Sequence, residues 1–389
     1  MHINQTKPNQ TEPNQIMSKE SYGTEHKFVF ILRTFLIDDL FKMLIPFALE
    51  NMYDCPDLCN LMICDKTIKI LIKKKFIKFV IVPLSVIKYW DKTNINNVKR
   101  LLIDTDESIK TDILHNNITE IIFDYFFNKP LDKYVLPENL TKLTFGYNFN
   151  QMIGGNILPK KLKEITFGNN FNQIIHKNVL PEKLTSLRFG LTSNFNQKVE
   201  KECFPKNLTE IVFSYHFDQV LTSGVLPESL TKLNFGQCFN QQLVENILPK
   251  NLTELTFGSN FDQEIVYHVL PEKITLLKFS VMFDKPIAEN VLPKNLTQLE
   301  FRGKFNQTIA ENVLPEKLTC LIFYARFNKQ IDKNVLPPNL KSLVLEYCFD
   351  QPLNRNIFPD SLTMLKVNSY YKFPLNKDIV PPNCNIIKK

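Results

Sequence analysis

Proline returns at a fixed interval along most of this chain, at positions 137, 159, 181, 205, 227, 249, 271, 293, 315, 337, 359 and 381. Each step is 22 residues except that from Pro181 to Pro205, which is 24 and carries Thr192 and Ser193 as a local insertion. A period in the twenties constrains the fold more than composition can. One such unit is too short to bury an apolar face by itself, so successive units must stack as a solenoid.

One unit, Val135 to Asn156, reads VLPENLTKLTFGYNFNQMIGGN. Its run Leu140-Thr-Lys-Leu143-Thr-Phe145 alternates, which predicts Leu143 and Phe145 pointing inward and Lys142 and Thr144 pointing outward. The spacing L-x-x-L-x-F resembles the L-x-x-L-x-L of leucine-rich repeats. The expected fold is a leucine-rich-repeat-like repeat solenoid with one short parallel β-strand per 22-residue unit. Strands are expected near Leu143–Phe145, Ile165–Phe167 and their equivalents, about 4.8 Å apart.

Composition enters through one residue: the chain holds 32 Phe against a single Trp and 12 Tyr. Two columns account for most of them. The first runs at unit spacing from Phe123 to Phe323 and continues as Leu345 and Val367; the second runs from Phe127 to Phe349 and continues as Tyr371. Stacked rings of this kind belong to a core, each worth roughly 2–3 kcal/mol.

Asn or Asp follows every Phe of the second column, from Asn128 to Asp350. What the two share is a short side-chain oxygen, which can accept an N–H two residues on and fix an Asx-turn. Their interchange argues against catalytic carboxylates at Asp218, Asp262 or Asp284. Gly146, Gly168, Gly190, Gly236 and Gly258 share another column, with Ser214 and Ser280 in its gaps, and mark a bend after the strand. Asn-Leu-Thr triplets at Asn139, Asn207, Asn251 and Asn295 recur because the repeat contains them at the strand entrance.

Phe149-Asn150-Gln151, then Ile153, Leu158-Pro159 and Leu162-Lys163-Glu164-Ile165, resemble the FNIP repeat found in social amoebae and in giant DNA viruses of amoebae. The resemblance covers about residues 115–380 and implies a leucine-rich-repeat-like solenoid, assigned here to 115–389. Its end units are irregular: His115 to Leu131 lacks the Pro, a degenerate unit is expected near Val98, and Tyr371-Lys372 replaces Phe-Asn.

The N-terminal part reads differently. Residues 1–27 are polar, rich in Asn, Gln, Thr and Pro, and are expected to form a disordered tail. Residues 28–75 carry helical spacing and are read as a small α-helical N-terminal module. Leu36-Ile37-Asp38-Asp39-Leu40, Phe47, Asp57-Leu58, Leu61, Ile63-Cys64 and Lys66 resemble a degenerate F-box. Ile37 stands where that family usually has Pro, the loop Ala48–Pro56 is long, and Ile68 replaces an aromatic. The resemblance implies that Leu36, Leu40, Leu44, Leu58 and Leu61 divide between a small core and a surface for a ligase adaptor protein. The other reading makes these helices a cap on the solenoid. Residues 76–114 are read as linker and degenerate first units.

Six His, at 2, 26, 115, 176, 216 and 268, share no column and no paired nucleophile, so the chain is not read as an enzyme. No metal site or cofactor is expected: Cys55, Cys59 and Cys64 cluster without a nearby His and are read as packing thiols. Net charge is +7, mild for 389 residues, and does not call for nucleic acid. Phe76 to Trp90 is too short and interrupted to span a bilayer, and no secretory leader is read, so a cytoplasmic setting is expected by default.

What varies is the outward strand column Thr144, Thr166, Arg188, Val212, Asn234, Thr256, Lys278, Glu300, Ile322, Val344 and Lys366. Its mixed chemistry suits a protein partner better than a polyanion. Together with the two resemblances it implies a substrate-recruiting adaptor of a cullin-type (SCF) ubiquitin ligase, holding its target on the repeats. The alternative is a repeat-based binding or scaffold protein with no ubiquitin link. Finally, the residue after each Pro alternates in sign over Glu138, Lys160, Glu182, Lys206, Glu228, Lys250, Glu272, Lys294 and Glu316. Stacked in register, these predict a ladder of facing opposite charges.

Overall fold

The computed structural model describes residues 81–87, 96–110, 114–190 and 192–389. Within them the chain lays down one parallel sheet of 15 strands in sequence order. The first are β1 (Ile81–Pro83), β2 (Arg100–Ile103), β3 (Glu120–Phe123), β4 (Lys142–Thr144), β5 (Glu164–Phe167) and β6 (Ser186–Phe189). Then come β7 (Glu210–Val212), β8 (Lys232–Asn234), β9 (Glu254–Thr256), β10 (Leu276–Lys278) and β11 (Gln298–Phe301). The sheet ends with β12 (Cys320–Phe323), β13 (Ser342–Leu345), β14 (Met364–Val367) and β15 (Asn385–Lys388). At about 4.8 Å per step it runs for roughly 65–70 Å. Within the stretch read as linker and degenerate first units, β1 is followed by one helical turn, Leu84–Ile87, and the unit near Val98 supplies β2.

Each rung is built the same way. The carbonyl of the repeating Pro accepts the N–H of the Leu three residues on, as from Leu140 to Pro137 at 3.0 Å, which turns the chain and aims that Leu inward. The Leu at the corner, the Leu or Ile in mid-strand and both Phe columns are buried in rung after rung: Leu140 0%, Leu143 0%, Phe145 3% and Phe149 1% exposed. Rings of the second column follow one another at 6.0–6.3 Å, nearly parallel in each pair. The first column is tighter at both ends, 5.3 Å from Phe123 to Phe145 and 5.1 Å from Phe279 to Phe301. Spacing that widens away from the strands places the sheet on the inner side of a curve.

The turn before each Val-Leu-Pro or Ile-Leu-Pro needs a left-handed residue. Asn156, Asn178, Asn246, Asn290, Asn312 and Asn334 supply it with φ of 63–66°, and Gly224 with 79°. Asn tolerates this region because its short polar side chain bonds locally.

The Asn/Asp column works otherwise than the sequence implied. Its oxygen does not close an Asx-turn but reaches the next rung: Asn128 Oδ1 accepts the N–H of Asn150 at 2.9 Å and the Gln151 amide at 3.0 Å. The same pair of bonds recurs at Asn150, Asn172, Asp218, Asn240 and Asp284. This ladder explains why Gln follows Asn so often. Two of the Lys residues that replace that Gln meet an Asp one rung back, Lys285–Asp262 at 3.0 Å and Lys129–Asp106 at 3.5 Å. The stack of units separates acceptor and donor by 22 residues, so local turn rules miss it.

The Asn-Leu-Thr triplets are ladder parts as well. Asn251 Nδ2 donates to the Glu228 carbonyl at 2.8 Å, and Thr253 Oγ1 donates to the Thr231 carbonyl at 3.0 Å. The expected Glu–Lys ladder after the Pro is corrected here: none of those nine residues forms an ion pair with another. Instead Glu228 and Glu272 accept the backbone N–H groups of Lys250 and Lys294, both at 3.1 Å. A carboxylate one rung away finds an N–H nearer than a flexible ammonium.

Candidate protein-binding face

Strand register sets the outward columns. Ile122, Thr144, Thr166, Arg188, Val212, Asn234, Thr256, Lys278, Glu300, Ile322, Val344 and Lys366 pair one with the next, so they stand in a single line across the sheet. The sequence places this column outward, and most of it is open or half-buried. Thr144, Glu300 and Val344 are corrections, at 6%, 5% and 7% exposed. Each lies between neighbours on the inner side of the curve, where side chains converge. Lys278 and Arg302 fold over Glu300, with contacts of 2.9 and 3.8 Å.

The charge ladder lies two residues earlier in each strand. Glu120, Lys142, Glu164, Ser186, Glu210, Lys232 and Glu254 open consecutive strands and alternate in sign, Arg188 standing in for Ser186. Arg100 bonds Glu120 at 2.6 Å, Lys142 bridges Glu120 at 3.9 Å and Glu164 at 3.6 Å, Arg188 meets Glu210 at 2.6 Å and Lys232 meets Glu254 at 2.8 Å. Bonding to Glu254 holds the Lys232 ammonium above its usual range. The alternation was visible in the sequence, in a column that the post-proline pattern overshadowed. From β10 onward this column is uncharged: Leu276, Gln298, Cys320, Ser342 and Met364.

Past the strands, stacked loops form a ledge. Tyr125 and Tyr147 lie face to face at 4.6 Å, with Phe126 65% exposed beside them. Farther along stand His216 and Cys238, 3.8 Å apart, and then Lys304, Arg326, Tyr347 and Tyr370. Burial raises the Cys238 thiol, with Asp218 adding to the shift, so the thiol stays protonated beside the imidazole. Among the described residues no three His, Cys, Asp or Glu side chains gather to hold a metal ion, and no helix is long and apolar enough to cross a membrane. The hollow between Ile309, Phe323, Phe327 and Ile331 offers about 10 Å³, scarcely a water molecule. Leu36, Leu40, Leu44, Leu58 and Leu61, with Cys55, Cys59 and Cys64, lie outside the described residues.

No curated protein matches the chain in sequence. Among solved structures, a circular leucine-rich-repeat protein, CroV588, is 37% identical over 75% of this chain and 50% of its own, with a TM-score of 0.60. This chain thus spans half the length of that relative. The Toll-like receptor of the TLR13–ssRNA13 complex, 13% identical, covers 75% of this chain and 50% of its own with a TM-score of 0.54, a likeness of fold alone. The FNIP Repeat family matches residues 106–148, 149–192, 195–238, 239–281, 268–304, 283–324, 305–348 and 349–388, mostly in steps of two rungs. With nearly the whole described array covered by that pattern, the chain belongs to the FNIP repeat family.

Proposed function

We propose that this chain is a protein-binding scaffold that holds its partner on the outward face of the sheet and the adjoining loop ledge. The observation that carries this reading is the contrast between columns. Core positions repeat Leu, Ile and Phe in rung after rung, while the outward line from Thr144 to Lys366 changes chemistry at nearly every step. Stacking dictates the first and leaves the second free. A surface of mixed charge and apolar residues matches protein interfaces better than the cationic stripe a polyanion needs. Capture on the immobilised full chain, repeated with Arg188→Glu, Asn234→Arg and Ile322→Asp on the face, tests it. Partners whose retention ignores all three substitutions would refute it.

A second reading rests on the F-box resemblance at Leu36–Lys66, in an amoebal or giant-virus setting and in the cytoplasm. Residues 28–75 would then be the module that docks a ligase adaptor through Leu36, Leu40, Leu44, Leu58 and Leu61, behind a tail at 1–27. The solenoid at 115–389 would present a target for ubiquitin transfer. Co-purification with the SCF adaptor protein, with Leu40→Asp as control, tests this. If the intact chain fails to bind while its solenoid stays folded, the ubiquitin link is lost and the scaffold remains.

A further inference from the structure

The C-terminal third of the face differs from the rest in three ways at once. The alternating ladder has ended, and beneath it Cys320, Ile322, Val344 and Met364 give an apolar floor, Val344 buried and the others half-buried. Around this floor cations outnumber carboxylates: Lys278, Arg302, Lys304, Arg326 and Lys366 against Glu300 and Glu346. Both carboxylates are already engaged, Glu300 with Lys278 and Arg302, and Glu346 with Lys366. Lys304 and Arg326 have no ion-pair partner among the described residues.

The third difference is Tyr347. It is 72% exposed and sits at φ 47°, in the left-handed region where a bulky side chain is strained. A tyrosine there gains little from burial within this chain, and Gly would hold the same loop at less cost. Tyr324, half-buried, stands on the preceding rung, where burial raises its phenol. Tyr and Arg set around a small apolar floor are the composition of interface anchors.

We propose that Ile322, Tyr324 and Tyr347 form a docking surface for an acidic segment of a protein partner. An apolar side chain of that segment rests on Ile322 between the two tyrosines, and its flanking carboxylates meet Arg302, Lys304 and Arg326. The apolar floor favours a peptide over single-stranded nucleic acid, which needs a continuous cationic track beneath stacked bases. This deepens the scaffold reading and rests on it.

The experiment selects 12-residue peptides from a random phage library on the immobilised full-length chain. The selected peptides, and a 12-nucleotide oligouridylate, are then measured by fluorescence anisotropy. Peptides carrying Asp or Glu around an apolar residue are expected. Arg326→Glu and Tyr347→Gly should each weaken them about tenfold, whereas Tyr134→Gly, at an exposed left-handed tyrosine in the turn before Val135, should leave them unchanged. Tyr347→Gly should at the same time raise or keep the melting temperature, since it relieves a left-handed tyrosine; a structural tyrosine would lower it. Peptides without acidic bias, binding indifferent to Tyr347 and Arg326, or tighter binding of oligouridylate would each overturn the assignment. Peptides displaced by Arg188→Glu or Asn234→Arg instead would sink this surface and leave the scaffold standing. If the chain retains no peptide on any part of the face, both readings fall.

Discussion

Between Phe189 and Phe279 the rings of the first column stand 5.8–6.5 Å apart, whereas from Phe279 to Phe323 the same column closes to 5.1–5.2 Å. The second column does not follow: it holds 6.1–6.3 Å in the middle and 6.0–6.1 Å beyond. The middle is therefore almost straight, and the C-terminal part curves. Strand length differs in step. β7 to β10 have three residues each and β11 to β13 have four.

The residue after the first Phe separates the two regions. Ser214, Gly236, Gly258 and Ser280 occupy it in the middle, against Arg302, Tyr324 and Glu346 beyond. Where Tyr324 and Glu346 stand, their N–H groups extend the sheet by bonding Phe301 at 2.9 Å and Phe323 at 3.0 Å. In the middle the chain leaves the sheet earlier and presses onto the rung before: a Cβ on Gly258 would lie 1.8 Å from the Gly236 carbonyl oxygen. Ser214 and Ser280 instead donate their hydroxyls to the carbonyls of Phe195 and Phe261. One core thus supports two curvatures, and the face above the C-terminal bend has an apolar floor in place of the charge ladder.

The largest expected effect tests whether the core is shared. Phe239→Ala in the straight part and Phe305→Ala in the curved part should each cost about 3–5 kcal/mol in denaturant unfolding. Costs differing by more than half would mean the two regions are packed differently inside. Next, Gly258→Ala should cost about 1–3 kcal/mol through its clash with the rung before, while Tyr324→Ala in the same column meets no such clash. Equal costs would show that the close approach at Gly258 does not set the cost at this position.

Asn240→Ala strips an acceptor from the Asp262 N–H at 2.9 Å and the Gln263 amide at 3.1 Å, a loss of about 1–2 kcal/mol, whereas Asn240→Asp should hold near wild type. An equal loss for Asp would contradict a role in which only the oxygen matters. Smaller still, Lys232→Glu sets three acids in a row with Glu210 and Glu254. It should lower the melting point at low salt only, and Lys250→Glu, outside any ion pair, should do nothing. A salt-dependent fall at Lys250 instead would return the ladder to the post-proline column.

The last effect concerns pH. Burial pushes the Cys203 thiol up to about 12, so the folded state prefers its protonated form. That preference is fully present below the unfolded thiol range and is lost as pH climbs towards 12. At pH 8 a thiol reagent should label exposed Cys348 quickly and Cys203 only on unfolding. Prompt labelling of Cys203 in the folded chain would show that its rung opens.

The period, the parallel strands, the inward Leu and Phe columns and the idea of a variable outward line were all legible in the sequence. Each rests on local alternation repeated at a fixed step, and repetition makes a weak local signal certain. The tertiary structure alone decided how rungs bond to one another. Asn128 with Asn150, Glu228 with the Lys250 N–H and Ser214 with Phe195 are contacts across 19 to 22 residues, invisible to turn rules that look two or three residues ahead. It also decided that Thr144, Glu300 and Val344 are covered although they point outward, because curvature brings side chains of neighbouring rungs together on the inner face. Sequence periodicity names the direction of a side chain; only the bend of the stack settles how much water reaches it.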